Sequence, residues 1–277
     1  MHELSDVYQY LRWKKRFPTV WCAGCGIGSV MGAIIRAIKD LEIPKDDITF
    51  IGGIGCSSRM PLYLDFNTLH TTHGRALAFA TGVKLHRPEM KVIVVSGDGD
   101  ALAIGGNHFI HAARRNIDIT LVLINNSIYG MTGGQVAPTT PLGAKAHTMP
   151  YGNYDPSFDP VDLALAAGAS YVARGTVASI IPTTNYLKKA LNHPGFSLVE
   201  IISQCPTQYG RLNKNGDPRK MLLWQKENAV SLAESQKMSE EEREGKIITG
   251  IFRQAEKPEY TTVYRDYVAS IQADLEE

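Results

Sequence analysis

The sequence has no long hydrophobic run. Its most apolar stretches, Val92 to Val95 and Leu121 to Ile124, fall far short of the roughly 20 residues that cross a bilayer. The N-terminal MHELSDVYQY carries acids where a signal peptide would place basic and then apolar residues. The expectation is a soluble, cytoplasmic chain with no membrane partner. Charge of either sign is not in excess: 29 Lys plus Arg against 28 Asp plus Glu leave +1, so no global field draws the chain to nucleic acid. No internal repeat is visible, which excludes a solenoid. A Gly-Lys-Ser/Thr phosphate loop is missing, and Gly24-Cys25-Gly26-Ile27-Gly28 places Ser29 where a dinucleotide fingerprint needs its third glycine. Cysteine is scarce too. Four in 277 residues are too few for a disulfide scaffold, whereas 44% apolar content is ample for a hydrophobic core.

What is present is an alternation. Strand-like segments at Ile48 to Gly53, Lys91 to Val95, Ile119 to Asn125, Ser170 to Arg174 and Ser197 to Ser203 are separated by helical ones, which predicts an α/β fold with a parallel sheet and helices on both faces. Ile27, Val30, Met31, Ile34, Ile35 and Ile38 share one helical face, and that helix should end before Pro44. Further helices are expected from near Gly74 to Leu85, Gly105 to Arg115, Val161 to Ala167, and within Val177 to Asn192. Met131 to Pro160, with five prolines and no sustained apolar period, reads as a long loop, a feature that is usually functional. Beyond Cys205 the alternation fades, and Ser239 to Lys246 is a charged stretch. The expected organisation is a binding domain over residues 1–210 and a C-terminal extension, 211–277, packing on the body or on another subunit.

Two strand ends carry chemistry. Val94-Val95-Ser96-Gly97-Asp98-Gly99-Asp100 closes one strand, and Leu123-Ile124-Asn125-Asn126-Ser127-Ile128-Tyr129-Gly130 closes the next. Ligands of open α/β sheets bind at such ends. Asp98 and Asn126 lie 28 positions apart (98 to 126), about one strand-helix-strand unit, so they can converge on one hard cation with a charged and a neutral oxygen. A lone Gly-Asp-Gly is more often a turn. Paired with Asn126 at the next strand end, it reads as a site for magnesium bridging a diphosphate.

The cysteines fall as a Cys22-Ala23-Gly24-Cys25 pair, Cys56 after Gly55, and Cys205 before Pro206. Four thiolates suit a tetrahedral zinc or an iron-sulfur cluster, and unligated buried thiols are a third reading. Two single, remote ligands are less usual for zinc, and Cys-Pro also occurs in ferredoxin ligand runs.

Gly97-Asp98-Gly99 followed by Asn126 is similar to the diphosphate-binding motif of thiamine diphosphate enzymes. Tyr129-Gly130-Met131-Thr132-Gly133-Gly134-Gln135 further resembles the β subunits of 2-oxoacid:ferredoxin oxidoreductases, as do Trp21 to Gly26, Ile54 to Ser57, His73-Gly74-Arg75 and Cys205-Pro206-Thr207. The match runs from about residue 10 to 215 and looks most like the 2-oxoglutarate branch. The resemblance implies that Asp98, the Asn126 side chain and the Ile128 carbonyl hold Mg²⁺. Ile54, Gly55, Cys56, Ser57, His73, Gly99, Asp100, Gly130 and Met131 would line thiamine diphosphate, and Cys22, Cys25, Cys56 and Cys205 would ligate one [4Fe-4S] cluster. Arg59 would face a distal substrate carboxylate. No residue is assigned a catalytic role.

The implied activity is coenzyme A-dependent oxidative decarboxylation of a 2-oxo acid to an acyl-CoA and CO₂, with electrons passed to ferredoxin and CO₂ fixation as the reverse. Pyruvate or branched-chain oxo acids are alternative substrates, and a non-catalytic electron-transfer or zinc-stabilised subunit is an alternative role. Thiamine enzymes also need a pyrimidine-binding domain, for which one α/β alternation leaves no room. The expectation is therefore a β subunit working with an α subunit as an (αβ)₂ heterotetramer. The basic cluster Arg12-Trp13-Lys14-Lys15-Arg16 could steer an acidic ferredoxin or be a solvated face.

Overall fold

A computed structural model describes residues 7–12 and 17–276. One sheet of eight strands forms its centre: β1 (Ile48–Gly52), β2 (Asn67–His70), β3 (Lys91–Gly97), β4 (Thr120–Asn125), β5 (Tyr171–Thr176), β6 (Ser197–Ile202), β7 (Ala229–Ser231) and β8 (Ile247–Gln254), in the spatial order β2-β1-β3-β4-β6-β5-β8-β7. The longer helices are α1 (Ile27–Asp40), α2 (Ala76–His86), α3 (Gly106–Arg115), α4 (Pro160–Ala166), α5 (Ile180–Asn192), α6 (Pro218–Asn228) and α7 (Tyr260–Glu276). No helix among the described residues is long and apolar enough to cross a membrane.

The central strands are buried on both faces because consecutive positions, Val92 to Val95 and Leu121 to Ile124, rather than every second one, are apolar. Ile93, Val95, Val122, Ile124, Val199 and Ile201 pack against α1 and α5 on one side. Their sequence neighbours Val92, Val94, Leu121, Leu123 and Leu198 pack against α2, α3 and α4 on the other. The α1 stripe lies where the spacing puts it, with Ile27, Val30, Ile34, Ile35 and Ile38 at most 1% exposed.

Three strands were not anticipated. β2 is a short, partly exposed edge, and β7 and β8 lie beyond the point where the alternation fades. The sheet is also not wholly parallel: β8 runs antiparallel to β5. That return is secured at Asn116, which takes a left-handed conformation at the end of α3 (φ 53°). Its Nδ2 donates to the carbonyls of Lys257 (3.3 Å) and Pro258 (3.1 Å), while its Oδ1 accepts from Ser170 Oγ (2.6 Å) and the Phe196 amide (2.9 Å). Of the basic cluster near the N-terminus, Trp13 to Arg16 lie outside the described residues. Arg12 donates to the Phe66 carbonyl at 2.9 Å.

A buried ion network braces the strand ends that carry the chemistry. Glu200, fully buried on β6, accepts from Asn125 Nδ2 (2.8 Å) and from Arg174 Nε (2.5 Å). Arg174 also meets Asp159 (2.6 Å), which caps α4 through the Val161 and Asp162 amides. Burial works against the Arg174 charge, but Glu200 and Asp159 outweigh it and push the guanidinium pKa further up. Removing one partner strands a buried charge. Arg174→Met is expected to lower folding stability by about 3–5 kcal/mol, checked by urea unfolding of the two chains.

Candidate functional site

β1, β3 and β4 are parallel neighbours, so their C-terminal ends open on the same edge of the sheet. A cavity of about 230 Å³ lies there. Its wall takes Ile54, Gly55, Cys56 and Ser57 after β1, His73 before α2, Asp98, Gly99 and Asp100 after β3, and Asn126, Ile128, Gly130 and Met131 after β4. The cofactor-lining and magnesium residues named from the sequence are thus gathered around one space. Arg59 is not part of that wall. It sits at an exposed edge, its guanidinium 4.0 Å from Met131 Sδ.

Asp98 follows β3 and caps a π-helical turn, Gly99–Ile104, through the Gly99 amide (3.0 Å). Burial pushes its carboxyl up to about 6, even though the Thr139 hydroxyl donates to Oδ2 at 2.6 Å and amides of the turn donate as well. A cation at this spot would reverse the balance by favouring the charged form. Asn126 supplies a second observation. Its Oδ1 is buried with no hydrogen-bond partner among the described residues, an orphaned acceptor in the same cavity wall as a buried carboxylate. Asn125 is unavailable for that role because Glu200 and the Ser127 amide occupy its side chain. Ser127 is left-handed (φ 60°), and its carbonyl accepts from Thr140 Oγ1 at 2.7 Å, which turns Ile128 toward the cavity wall. This oxygen-only donor set fits a hard divalent ion.

Glycine makes room at two positions. A β-carbon on Gly99 would stand 2.3 Å from the Tyr129 ring, and one on Gly53 would stand 2.1 Å from Asp100 Oδ2. Thr139 and Tyr129 belong to the site's structure, yet no side-chain role was read for either. Thr139 lies in a loop without periodicity, and the only hint was that the loop was too long to be idle.

The cysteines lie behind the cavity. Cys22 is exposed, the others are half-buried, and none is in a disulfide. Trp21 Nε1 donates to the Cys56 carbonyl (2.7 Å), and Gln204 Nε2 donates to the Gly24 carbonyl (2.8 Å). Those two bonds tie the paired cysteines to the Cys56 and Cys205 loops. Burial, helped by the neighbouring cysteines, raises the Cys25 thiol to about 12 and Cys56 to about 11. All four are therefore close enough to interact electrostatically, and a cationic centre would reverse the cost of ionising them. Among the described residues, however, no group of three or more His, Cys, Asp and Glu side chains is arranged to hold a single metal ion. A β-carbon on Gly130 would meet Cys56 Sγ at 3.6 Å and Cys205 Sγ at 3.7 Å. Two of the sulfurs thus lie near Gly130, which borders the cavity.

Residues 53–201 match the family model described as thiamine pyrophosphate enzyme, C-terminal TPP binding domain. The 2-oxoglutarate synthase subunit KorB of Methanocaldococcus jannaschii is 50% identical over 271 residues, covering 98% of this chain and 100% of the relative. The chain belongs to the KorB family of thiamine pyrophosphate enzymes. The KorB of Archaeoglobus fulgidus is 58% identical over 203 residues, 73% of this chain and 75% of that one. Among solved structures, a 2-oxoglutarate:ferredoxin oxidoreductase from Magnetococcus marinus with 2-oxoglutarate, coenzyme A and succinyl-CoA bound superposes with a TM-score of 0.86 at 33% identity, covering 96% of this chain and 91% of that one. The matched domain contains the cavity residues from Ile54 to Met131. Cys22, Cys25 and Cys205 fall outside it, so the cysteine set is not contained in the matched cofactor domain.

Proposed function

We propose that this chain is the β subunit of a 2-oxoglutarate:ferredoxin oxidoreductase that binds Mg²⁺-thiamine diphosphate and one [4Fe-4S] cluster and works with an α subunit, as an (αβ)₂ assembly. The observation that carries it is the shared wall: Gly130 and Cys56 border the cavity, and the space beside Gly130, where a β-carbon would stand, lies 3.6 Å from Cys56 Sγ and 3.7 Å from Cys205 Sγ. The site for carbon chemistry and the site for one-electron chemistry would then be neighbours, with Cys56 belonging to both. Relatives named 2-oxoglutarate synthase support the substrate.

Asp98, Asn126 Oδ1 and the Ile128 carbonyl would hold the cation, and the cation would neutralise a diphosphate seated against Gly99. When bound, thiamine diphosphate supplies a nucleophilic carbon and an electron sink for loss of CO₂ from the oxo acid. The protein's part is to fix the cavity's shape, to shield the reacting centre with Ile54, Ile128 and Met131, and to set Cys56 beside it. A single tetrahedral ion with Zn–S near about 2.3 Å draws four sulfurs close together. A cluster takes each thiolate on a separate iron and so accepts sulfurs set further apart, which favours it over zinc for this unclosed set. The pyrimidine-binding domain, with its glutamate, would come from the α subunit.

Co-expression with an α partner, followed by viologen reduction with coenzyme A and a panel of 2-oxo acids, tests this reading. Coenzyme A-dependent reduction with 2-oxoglutarate as the preferred substrate, and none by the lone chain, is expected. An iron-free complex, or one that reduces viologen with no 2-oxo acid, would falsify it.

A further inference from the structure

Asp100 is 3% exposed, and its carboxylate is shared among three segments of the cavity wall. Oδ1 accepts from the Gly74 amide (2.7 Å), lies 2.7 Å from His73 Nδ1, and takes a longer bond from the Ile54 amide (3.3 Å). Oδ2 accepts from Ser96 Oγ (2.6 Å) and more loosely from Ser58 Oγ (3.5 Å). These donors come from the Cys56 loop, the turn before α2 and the end of β3. Gly53 yields its side chain to the same carboxylate. The residue borders the cavity, and its carboxylate is held by donors of the protein.

The pairing fixes the histidine. An ionised carboxylate only accepts, so the His73 nitrogen facing it, Nδ1, carries a proton. Nε2 is then the ring nitrogen left without a hydrogen-bond partner among the described residues, on a side chain that lines the cavity. Tyr129 steadies the ring from the side: the centroids are 6.0 Å apart at 63°, and the tyrosine hydroxyl donates to the Gly99 carbonyl at 2.9 Å. The imidazole is held on one nitrogen and one face, with one nitrogen open. His73 is 37% exposed, so an ion pair there adds little to stability. The arrangement makes more sense as orientation.

We propose that Asp100 is a positioning residue that acts through His73, holding Nε2 toward the cavity to hydrogen-bond an anionic oxygen of a bound ligand. Resting on the function proposed above, that oxygen belongs either to the cofactor's diphosphate or to the oxo acid's carboxylate.

The tests are a ring-tautomer measurement and a double-mutant cycle. In the wild-type chain, ¹⁵N-histidine NMR, with His73 assigned by its absence in His73→Gln, should show Nδ1 protonated in the neutral ring; the Nε2-protonated tautomer overturns the proposal. In the complex with its α partner, Asp100→Asn, His73→Gln and the double variant are compared by iron content, by calorimetric Kd for Mg²⁺-thiamine diphosphate, and by KM and kcat for the oxo acid. Iron should be retained. Each single variant should weaken one anionic ligand by about tenfold, the size expected for loss of an outer partner, and the double variant should be no worse than His73→Gln alone. A raised Kd assigns the oxygen to the diphosphate, and a raised KM at constant Kd assigns it to the oxo acid. Additive losses in the double variant, or unchanged Kd and KM in His73→Gln, overturn the proposal. If Asp100→Asn does not fold, the tautomer and His73→Gln decide. A wild-type complex that turns over no 2-oxo acid would sink the function reading, while the tautomer and Kd arms would still judge Asp100.

Discussion

Cys56→Ser is expected to yield a folded chain that cannot assemble its iron centre. Oxo-acid-dependent viologen reduction by the complex should fall by more than about 100-fold, beyond the roughly 10–100-fold typical of losing an outer-shell partner. The reason is position. Cys56 borders the cavity and also feels the charges of Cys205 and Cys22, so its sulfur is the one that belongs to both sites. The side chain is only half-buried, and serine is nearly isosteric, so the fold should survive. Iron content, visible absorbance and the reduced-state EPR signal should collapse together with activity, while circular dichroism stays unchanged. A Cys56→Ser chain that retains about four irons and normal turnover would remove Cys56 from the ligand set.

Asp98→Asn should separate binding from stability. Replacing the charged oxygen with an amide removes the one formal negative charge in the proposed magnesium set, and Mg²⁺-thiamine diphosphate should bind at least about 100-fold more weakly, equivalent to some 2.7 kcal/mol. The chain without cation and cofactor should behave in the opposite sense. Burial raises the folded-state pKa of Asp98 to about 6 from an ordinary 3.8. Below about 4 the carboxyl is protonated in both states. As the pH climbs from there through about 6, the unfolded chain has released its proton and the folded chain still holds it, so the contribution to stability is lost across that window. At neutral pH the buried charge costs about 3 kcal/mol. Asp98→Asn should remove this pH dependence and leave the cofactor-free chain at least as stable as wild type at pH 7, measured by thermal unfolding at pH 5 and 7. A variant that binds the cofactor normally, or is strongly destabilised without it, would contradict the assignment.

The fold was legible where physical demands are local. The α1 stripe follows from 3.6-residue periodicity, and the doubly apolar β3 and β4 announce strands covered on both sides. Asp98 and Asn126 could be paired because consecutive parallel strands end on the same edge, so spacing along the chain becomes proximity in space. The antiparallel β8 was hidden because its pairing with β5 depends on Asn116, a residue whose own neighbours carry no sign of the task. The Glu200–Arg174 pair was likewise invisible, since charges inside strands make sense only once both are known to be buried. Asp100 is the most instructive case. Its place in Gly-Asp-Gly-Asp suggested a cofactor-lining residue, and it does border the cavity, but only geometry shows that its carboxylate is held by protein donors.

The unequal exposure of the four sulfurs gives any centre they hold a polarity. Cys56 borders the cavity, and Cys22 stands at the surface. On the function proposed above, electrons would enter such a centre on the side of Cys56, and Cys22 would be the ligand open to a docking carrier.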